Sequence, residues 1–268
     1  MAKVKPFLKW AGSKRKLVEK ILPAFPKEFE TYFEPFLGSG AMFFALTPKR
    51  AVLGDSLADL ISTYKAVRKN VAGINNHLAT LKPDSETFYQ VRGNRSQDSV
   101  ARAAEFIYLN KTCWNGLYRV NSQGNFNVPF GKAKSPINFS AKDLEICSKV
   151  LRQRSIRLIN ADFETTLSTA KEKDLVFLDP PYVTSHYKNG FHEWNSRLFT
   201  WNDQIRLADT AKTLANMGAH VVVTNADHPD IIKLYKGFSV RQYDRASTLA
   251  SNGEMRRRTT EVVFSTLP

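Results

Sequence analysis

At residues 176–183 an apolar run ends in a carboxylate: Val176-Phe177-Leu178-Asp179-Pro180-Pro181-Tyr182-Val183. Two consecutive prolines supply no N–H and fix φ, so Asp179-Pro180-Pro181-Tyr182 neither continues a sheet nor enters a helix interior. It is a stiff corner that holds a negative charge and an aromatic ring at the end of a buried strand. An ordinary turn after a core strand is the plain alternative. Three further strand ends carry chemistry of their own. The apolar run "YFEPF" is broken by Leu37-Gly38-Ser39-Gly40, and "AMFFAL" then has the composition of the first turns of a helix. Strand, glycine-rich turn and helix bring a backbone close to a nucleotide-like ligand. Gly38 and Gly40 can take backbone angles closed to other residues. Phe43 stands where a dinucleotide fingerprint needs its third glycine, and Gly12-Ser13-Lys14 lacks the earlier glycine of a Walker A loop, so both of those readings are weakened. Asp55 follows the short strand "AVLG", where a carboxylate can accept from ribose hydroxyls or cap the next helix. Asp162 and Phe163 end a third strand, "IRLINADF".

These tips need a scaffold. "KDLVFLDPPYV" is a fourth strand and "GAHVVVTNAD" a fifth, preceded by the helical "DQIRLADTAKTLANM"; the tail suggests two last strands flanking Arg256, Arg257 and Arg258. Alternation of strand and helix predicts an α/β fold with a mainly parallel sheet. In such sheets ligands gather outside the carboxyl ends of the strands. Gly38, Asp55, Asp162 and Asp179 are all expected at that edge.

The chain has 268 residues, 43% of them hydrophobic, enough for one large domain or one domain with an insertion. No stretch approaches the ~18 apolar residues of a membrane span. Cys113 and Cys147 are the only cysteines and the five histidines show no ligand spacing, so neither a disulfide framework nor a metal site is expected and a reducing cytoplasm is the natural home. Lys and Arg number 39 against 25 Asp and Glu, a net charge of +14 that points to a polyanion, nucleic acid before membrane. Residues 57–140 are polar, helix-like and rich in Asn, Arg and Lys. Within them "GLYRVN" and "NFNVPF" flank "SQG" and read as a hairpin. Trp114, Asn115, Tyr118, Arg119, Asn121 and Asn127 crowd that stretch. Arginine and asparagine pair with base edges and an aromatic ring can wedge into a stack, whereas a polar surface hairpin is the alternative.

Five stretches together resemble the Dam-type, α-class DNA adenine-N6 methyltransferases: "FLKWAGSK" at 7–14, "FEPFLGSGAMFF" at 33–44, "GDSLADLI" at 54–61, "LNKTCWNGLYRVNSQGNFNVPFGK" at 109–132 and "DPPY" at 179–182. They run in the family's order and span most of the chain. The resemblance implies a Rossmann-like sheet made of residues 1–56 and 141–268, with 57–140 as a mainly helical target-recognition insert. It implies S-adenosyl-L-methionine as methyl donor, held by Trp10, Ala11, Gly12, Lys14, Phe36, Gly38, Ser39, Gly40, Asp55 and Asp179, with Asp162 and Phe163 at the donor's adenine. For Trp10 and Lys14 taken singly, a core tryptophan and a surface lysine are the alternatives.

The same resemblance assigns the chemistry. The exocyclic amine of adenine is a poor nucleophile because its lone pair is conjugated into the ring. The Asp179 carboxylate and the Pro180 carbonyl would accept its two hydrogens and make the nitrogen more tetrahedral, as preorganised acceptors on a stiff corner. Tyr182 would stack on an adenine flipped out of double-stranded DNA, a step that costs a few kcal/mol. Trp114 falls where the family inserts an aromatic ring into the duplex, Arg119 where it reads guanine, and Lys9 and Leu117 where it touches the first guanine and the thymine methyl of GATC. Asn115 and Asn121 complete the expected DNA contacts, and Arg256–Arg258 would meet phosphates. Trp114 and Tyr118 depart from the Dam pattern, which has tyrosine and cysteine there and so leaves flanking preference open. Residues 183–199 are expected to close over the flipped base. The competing readings are adenine methylation at another DNA sequence or in RNA, methylation of a protein glutamine, and a DNA-binding module without catalysis.

Overall fold

The structure is a computed structural model that describes residues 4–131, 139–153, 155–183, 199–246 and 258–267, with the backbone alone at 245, 246, 258 and 259. Its strands fall in the segments expected from the sequence: β1 Tyr32–Glu34, β2 Ala51–Asp55, β3 Ile156–Asn160, β4 Leu175–Leu178, β5 His220–Ala226, β6 Ser239–Ala246 and β7 Arg258–Ser265. They form one sheet in the order β3-β2-β1-β4-β5-β7-β6. β1 pairs parallel with β4 and β4 with β5. β7 runs antiparallel to both β5 and β6. All four residues of β4 are buried, as is Val221–Val223 of β5, which explains their uninterrupted Val, Leu and Phe.

The residues fall into two compact units. The first comprises Met1–Val18, Leu37–Lys49 and Leu53–Ala161. It holds helices at Ala41–Leu46, Ala58–Lys69, Val71–Thr80, Ser85–Gly93, Ser99–Thr112 and Ala141–Leu151, numbered α2 to α7 after the short α1, Val18–Ile21. Asn70, Asp84, Asp98 and Ser140 cap α4, α5, α6 and α7 by accepting from backbone N–H groups of the first turn. α6 is buried over most of its second half and packs against α3, α4 and α5. Its C-terminus delivers the chain to Trp114.

The second unit comprises Glu19–Phe36, Arg50–Val52 and Asp162–Pro268. Here α8 is Phe163–Leu167, α9 Trp201–Asn216 and α10 Pro229–Leu234. α9 opens on a capping box of Thr200 and Asp203 and buries Gln204, Leu207, Ala208, Ala211 and Leu214 at helical spacing, with β5 as a neighbour. Asp174, buried just before β4, accepts from the N–H groups of Thr31 and Lys171 at 2.9 Å each and so ties the starts of β1 and β4 together.

The expected hairpin is looser than two strands. Cys113–Phe130 and Val120–Phe126 are isolated antiparallel bridges, and the tip is closed by Asn121, whose Oδ1 accepts from the N–H groups of Gln123 and Asn125. Asn and Gly residues and Pro129 interrupt the alternation that a continuous ladder needs. Residues 184–198, Arg256 and Arg257 lie outside the described residues, as does the side chain of Arg258.

Candidate active site

The glycine-rich turn is gripped from several sides. Gly38 has φ 47°, and a Cβ there would stand 2.7 Å from Cδ1 and 2.9 Å from Nε1 of Trp10, so the indole lies directly on the glycine backbone. The N–H of Gly38 donates to Asp55 Oδ2 at 3.0 Å, and its carbonyl accepts from the Tyr64 hydroxyl at 3.1 Å. Ser39 is buried with its hydroxyl 2.8 Å from that of Ser13. Gly40 donates to the Leu37 carbonyl at 2.6 Å and precedes α2. Trp10 is half-buried and stacks on Tyr118 with ring centroids 5.9 Å apart, while Ala11 and Gly12 are exposed. Lys14 is only 3% exposed, with Nζ donating to the Gly12 carbonyl at 3.0 Å; it is not a surface lysine.

Asp55 does not cap α3, whose N-cap is Leu57. Its Oδ1 accepts from the Leu57 N–H at 3.0 Å while Oδ2 holds Gly38, so one carboxylate spans the tip of β2 and the glycine turn. Burial pushes its carboxyl from 3.8 up to about 6, against the opposing pull of those two N–H donors. A carboxyl raised on folding adds stability at low pH and loses it as pH rises through its folded value. The stability difference between the wild-type protein and an Asp55→Asn variant should therefore shift against the wild type between about pH 4 and pH 7, by on the order of 3 kcal/mol. Chemical denaturation at several pH values checks this; a gap that does not change with pH contradicts the burial of the charge.

The recognition stretch is braced by a buried asparagine that the sequence did not single out. Asn110, 3% exposed on α6, accepts from the Lys9 N–H at 2.9 Å and donates to the Lys9 carbonyl at 2.7 Å and the Gly116 carbonyl at 3.4 Å. Gly116 (φ 62°) lets the backbone come so close that a Cβ would stand 2.5 Å from Cβ of Lys9. The Lys9 backbone is thereby held against the stretch that begins at Trp114; Lys9, Trp114 and Arg119 are exposed and Leu117 is half-buried. Asn115, also exposed, adopts φ 54°. Arg119 is oriented by Asn127, with Nε donating to Oδ1 at 2.8 Å. The side chain of Asn121 is engaged in closing the hairpin tip.

In the second unit Asp179 leaves the carboxyl end of β4. Its Oδ1 accepts from the Thr224 hydroxyl at 2.6 Å. Pro180 is buried, and the Pro181 carbonyl accepts from Gln204 Nε2 at 3.0 Å. The Tyr182 hydroxyl donates to Glu261 Oε2 at 3.2 Å, which tethers the far end of a half-buried ring. Nearby in β1, Tyr32 donates to buried Glu34 at 2.8 Å, and burial together with the Glu34 charge holds its phenol far above the usual range. Phe36, Phe163 and Phe199 form an aromatic trio with centroids 5.6 to 6.2 Å apart. Arg206 lies 4.6 Å over the Phe163 ring and pairs with Asp162, Glu164 and Asp203 at 3.0–3.2 Å. Thr224, Gln204, Glu261 and Arg206 carried no expectation from the sequence, and Phe199 only as the end of the segment 183–199; of these Thr224 has a visible signal, a polar residue ending the apolar Val221-Val222-Val223.

Among the described residues no group of three or more His, Cys, Asp or Glu could hold a metal ion, and no helix is long and apolar enough to cross a membrane. Residues 10–249 match the family described as D12 class N6 adenine-specific DNA methyltransferase. The chain is similar to the type II methyltransferase M1.LlaDCHI of Lactococcus lactis subsp. cremoris, 33% identical over 98% of this chain and 95% of that protein. It is similar to the type II methyltransferase M.MjaIII of Methanocaldococcus jannaschii, at 34% over 95% of this chain and 96% of that protein. It also resembles the DNA adenine methylase of Escherichia coli K12, at 31% over 98% and 95%. The rigid Asp-Pro-Pro-Tyr corner, the gripped glycine turn and similarity along nearly the whole length converge, and the chain belongs to the D12 class N6 adenine-specific DNA methyltransferase family.

Proposed function

We propose that this adenine-specific DNA methyltransferase acts within GATC in duplex DNA and takes its target base out of the stack. The observation that carries the reading is the corner at Asp179: an ionisable acceptor on a proline-stiffened turn, held by the neighbouring strand, with a tyrosine ring tethered at its hydroxyl two residues beyond Pro180. Asp179 and the Pro180 carbonyl would accept the two hydrogens of the amine and lead its lone pair outward. The Tyr182 ring would support the extruded base.

The family uses S-adenosyl-L-methionine, which when bound supplies a methyl group activated on a sulfonium sulfur. The residues fit such a group. The Gly38 turn leaves no side chain on the backbone, half-buried Asp55 suits ribose hydroxyls, and the trio around Phe163 beside Asp162 suits a heteroaromatic ring. We assign Trp10, Ala11, Gly12, Lys14, Phe36, Gly38, Ser39, Gly40, Asp55, Asp162 and Phe163 to donor binding on that basis. Residues 57–140, together with Lys9, are the proposed reader of the target, with Arg119 on guanine, Lys9 and Leu117 on neighbouring base edges, Trp114 and Asn115 at the gap left by the flipped base, and Asn121 as a further DNA contact at the hairpin tip. Arg256–Arg258 are assigned to phosphates.

Methyl transfer to duplexes that differ only in the presence of GATC tests the target; equal transfer to both overturns it. A duplex carrying 2-aminopurine in place of the target adenine should brighten on binding, and unchanged fluorescence counts against extrusion. Arg119→Ala should narrow the preference for the guanine it reads by ~1–3 kcal/mol, measured as the ratio of kcat/KM for cognate and base-substituted duplexes. An undiminished ratio removes Arg119 from readout.

A further inference from the structure

We infer that Thr224, Gln204 and Asn225 are positioning residues for the catalytic corner, a role that rests on the assignment of Asp179 and the Pro180 carbonyl as the amine acceptors. The register of β4 on β5 pairs Leu178 with Val223, which sets Thr224 beside Asp179. Successive side chains of a strand point to opposite faces, so Thr224 and Asn225 work on different sides of the sheet. Thr224 is 1% exposed, and its single proton goes to Asp179 Oδ1 at 2.6 Å in preference to the Leu178 carbonyl at 3.5 Å. A short hydrogen bond to a carboxylate is a strong one, and it sets the rotation of the group.

On the other face the hydrogen bonds run in one direction. The N–H of Ala226 donates to Asn225 Oδ1, which aims Asn225 Nδ2 at Gln204 Oε1 at 3.0 Å. With its oxygen so engaged, Gln204 turns Nε2 to the Pro181 carbonyl. Gln204 and Asn225 are both fully buried. Neither amide can flip without breaking a bond at each end, and buried unpartnered polar groups are costly. The Pro180 carbonyl thus lies between two anchored points, the Asp179 side chain and the Pro181 carbonyl, on a stretch whose φ angles the rings already fix. Packing alone would be served by apolar residues at all three positions.

The test compares Thr224→Val, Thr224→Ser, Gln204→Met and Asp179→Ala in full-length protein, by single-turnover transfer to a GATC duplex, KM for duplex and donor, and thermal midpoint. Thr224→Val should lower the transfer rate by about ten- to a hundredfold with both KM values within about threefold, and Thr224→Ser should restore most of it. Gln204→Met should behave as Thr224→Val does, which keeps the inference testable if one variant folds poorly. A Thr224→Val rate within about twofold of wild type, or a serine variant no better than valine, overturns the positioning role. If Asp179→Ala is inactive while Thr224→Val and Gln204→Met are not, only this inference fails. If Asp179→Ala stays active, the assignment of the corner fails with it.

Discussion

Asp179→Ala should reduce methyl transfer by about a thousandfold or more while duplex affinity changes by less than about threefold. The carboxylate is one of two acceptors proposed for the amine, and it is held in place before any substrate arrives, by the Thr224 hydroxyl at 2.6 Å. Preorganised acceptors contribute most because nothing has to reorient as the nitrogen becomes tetrahedral. Alanine removes the acceptor and leaves a buried hydroxyl without its partner, which costs stability but touches none of the residues assigned to DNA. Asp179→Asn separates charge from shape: it keeps the volume, offers an amide where a carboxylate accepted, and should recover little activity. Tritium transfer under single-turnover conditions, beside fluorescence anisotropy on the same duplex, measures both sides. A variant retaining a tenth of the wild-type rate would remove Asp179 from the chemistry.

The second large effect is expected at Gly38. Its φ of 47° already strains any residue with a Cβ, by ~1–2 kcal/mol. The added methyl carbon would also meet the Trp10 ring at 2.7 Å, and that ring has little room to retreat because it stacks on Tyr118. The turn cannot yield easily either, since Asp55 holds the Gly38 N–H and Tyr64 holds its carbonyl. Gly38→Ala should therefore weaken donor binding by about a hundredfold. Calorimetric titration with S-adenosyl-L-methionine, on protein whose melting shows it folded, gives the value. Combining it with Trp10→Ala relieves the clash but not the backbone strain, so the stability costs of the two substitutions should be less than additive. Strict additivity would mean that the indole does not press on the turn.

β1, β2, β4 and β5 were readable because each is an apolar run that stops at a polar or glycine-rich tip; β4 running into Asp179 and β2 ending at Asp55 announce both the element and its chemistry. Thr224 obeys the same rule at the end of Val221-Val222-Val223 and was there to be read. Gln204 and Asn110 were not. Each is a polar residue within a helix, where the local pattern fits a solvated face, and only packing of α9 and α6 decides that it is buried. Lys14 is the converse case: a lysine among basic neighbours suggests surface, yet the short turn at Lys14–Lys16 faces it inward. The two segments flanking Ser122-Gln123-Gly124 do approach antiparallel, but only through isolated bridges, because Asn121 turns its side chain to the tip and Pro129 has no N–H for a ladder.

Lys9 and Trp10 are consecutive in the chain, yet one is assigned to a base edge and the other rests on the Gly38 turn. Asn110 clamps the Lys9 peptide at both its N–H and its carbonyl. If duplex contacts Lys9 and the donor rests against Trp10, as proposed, a pull on Lys9 is also a pull on the indole. Free-energy coupling of this kind is symmetrical: whatever factor a filled donor site lends to DNA affinity, DNA must return to the donor. On the proposed assignments the two ligands would share one short strip of backbone, and the size of that mutual factor would depend on how firmly a single asparagine holds it.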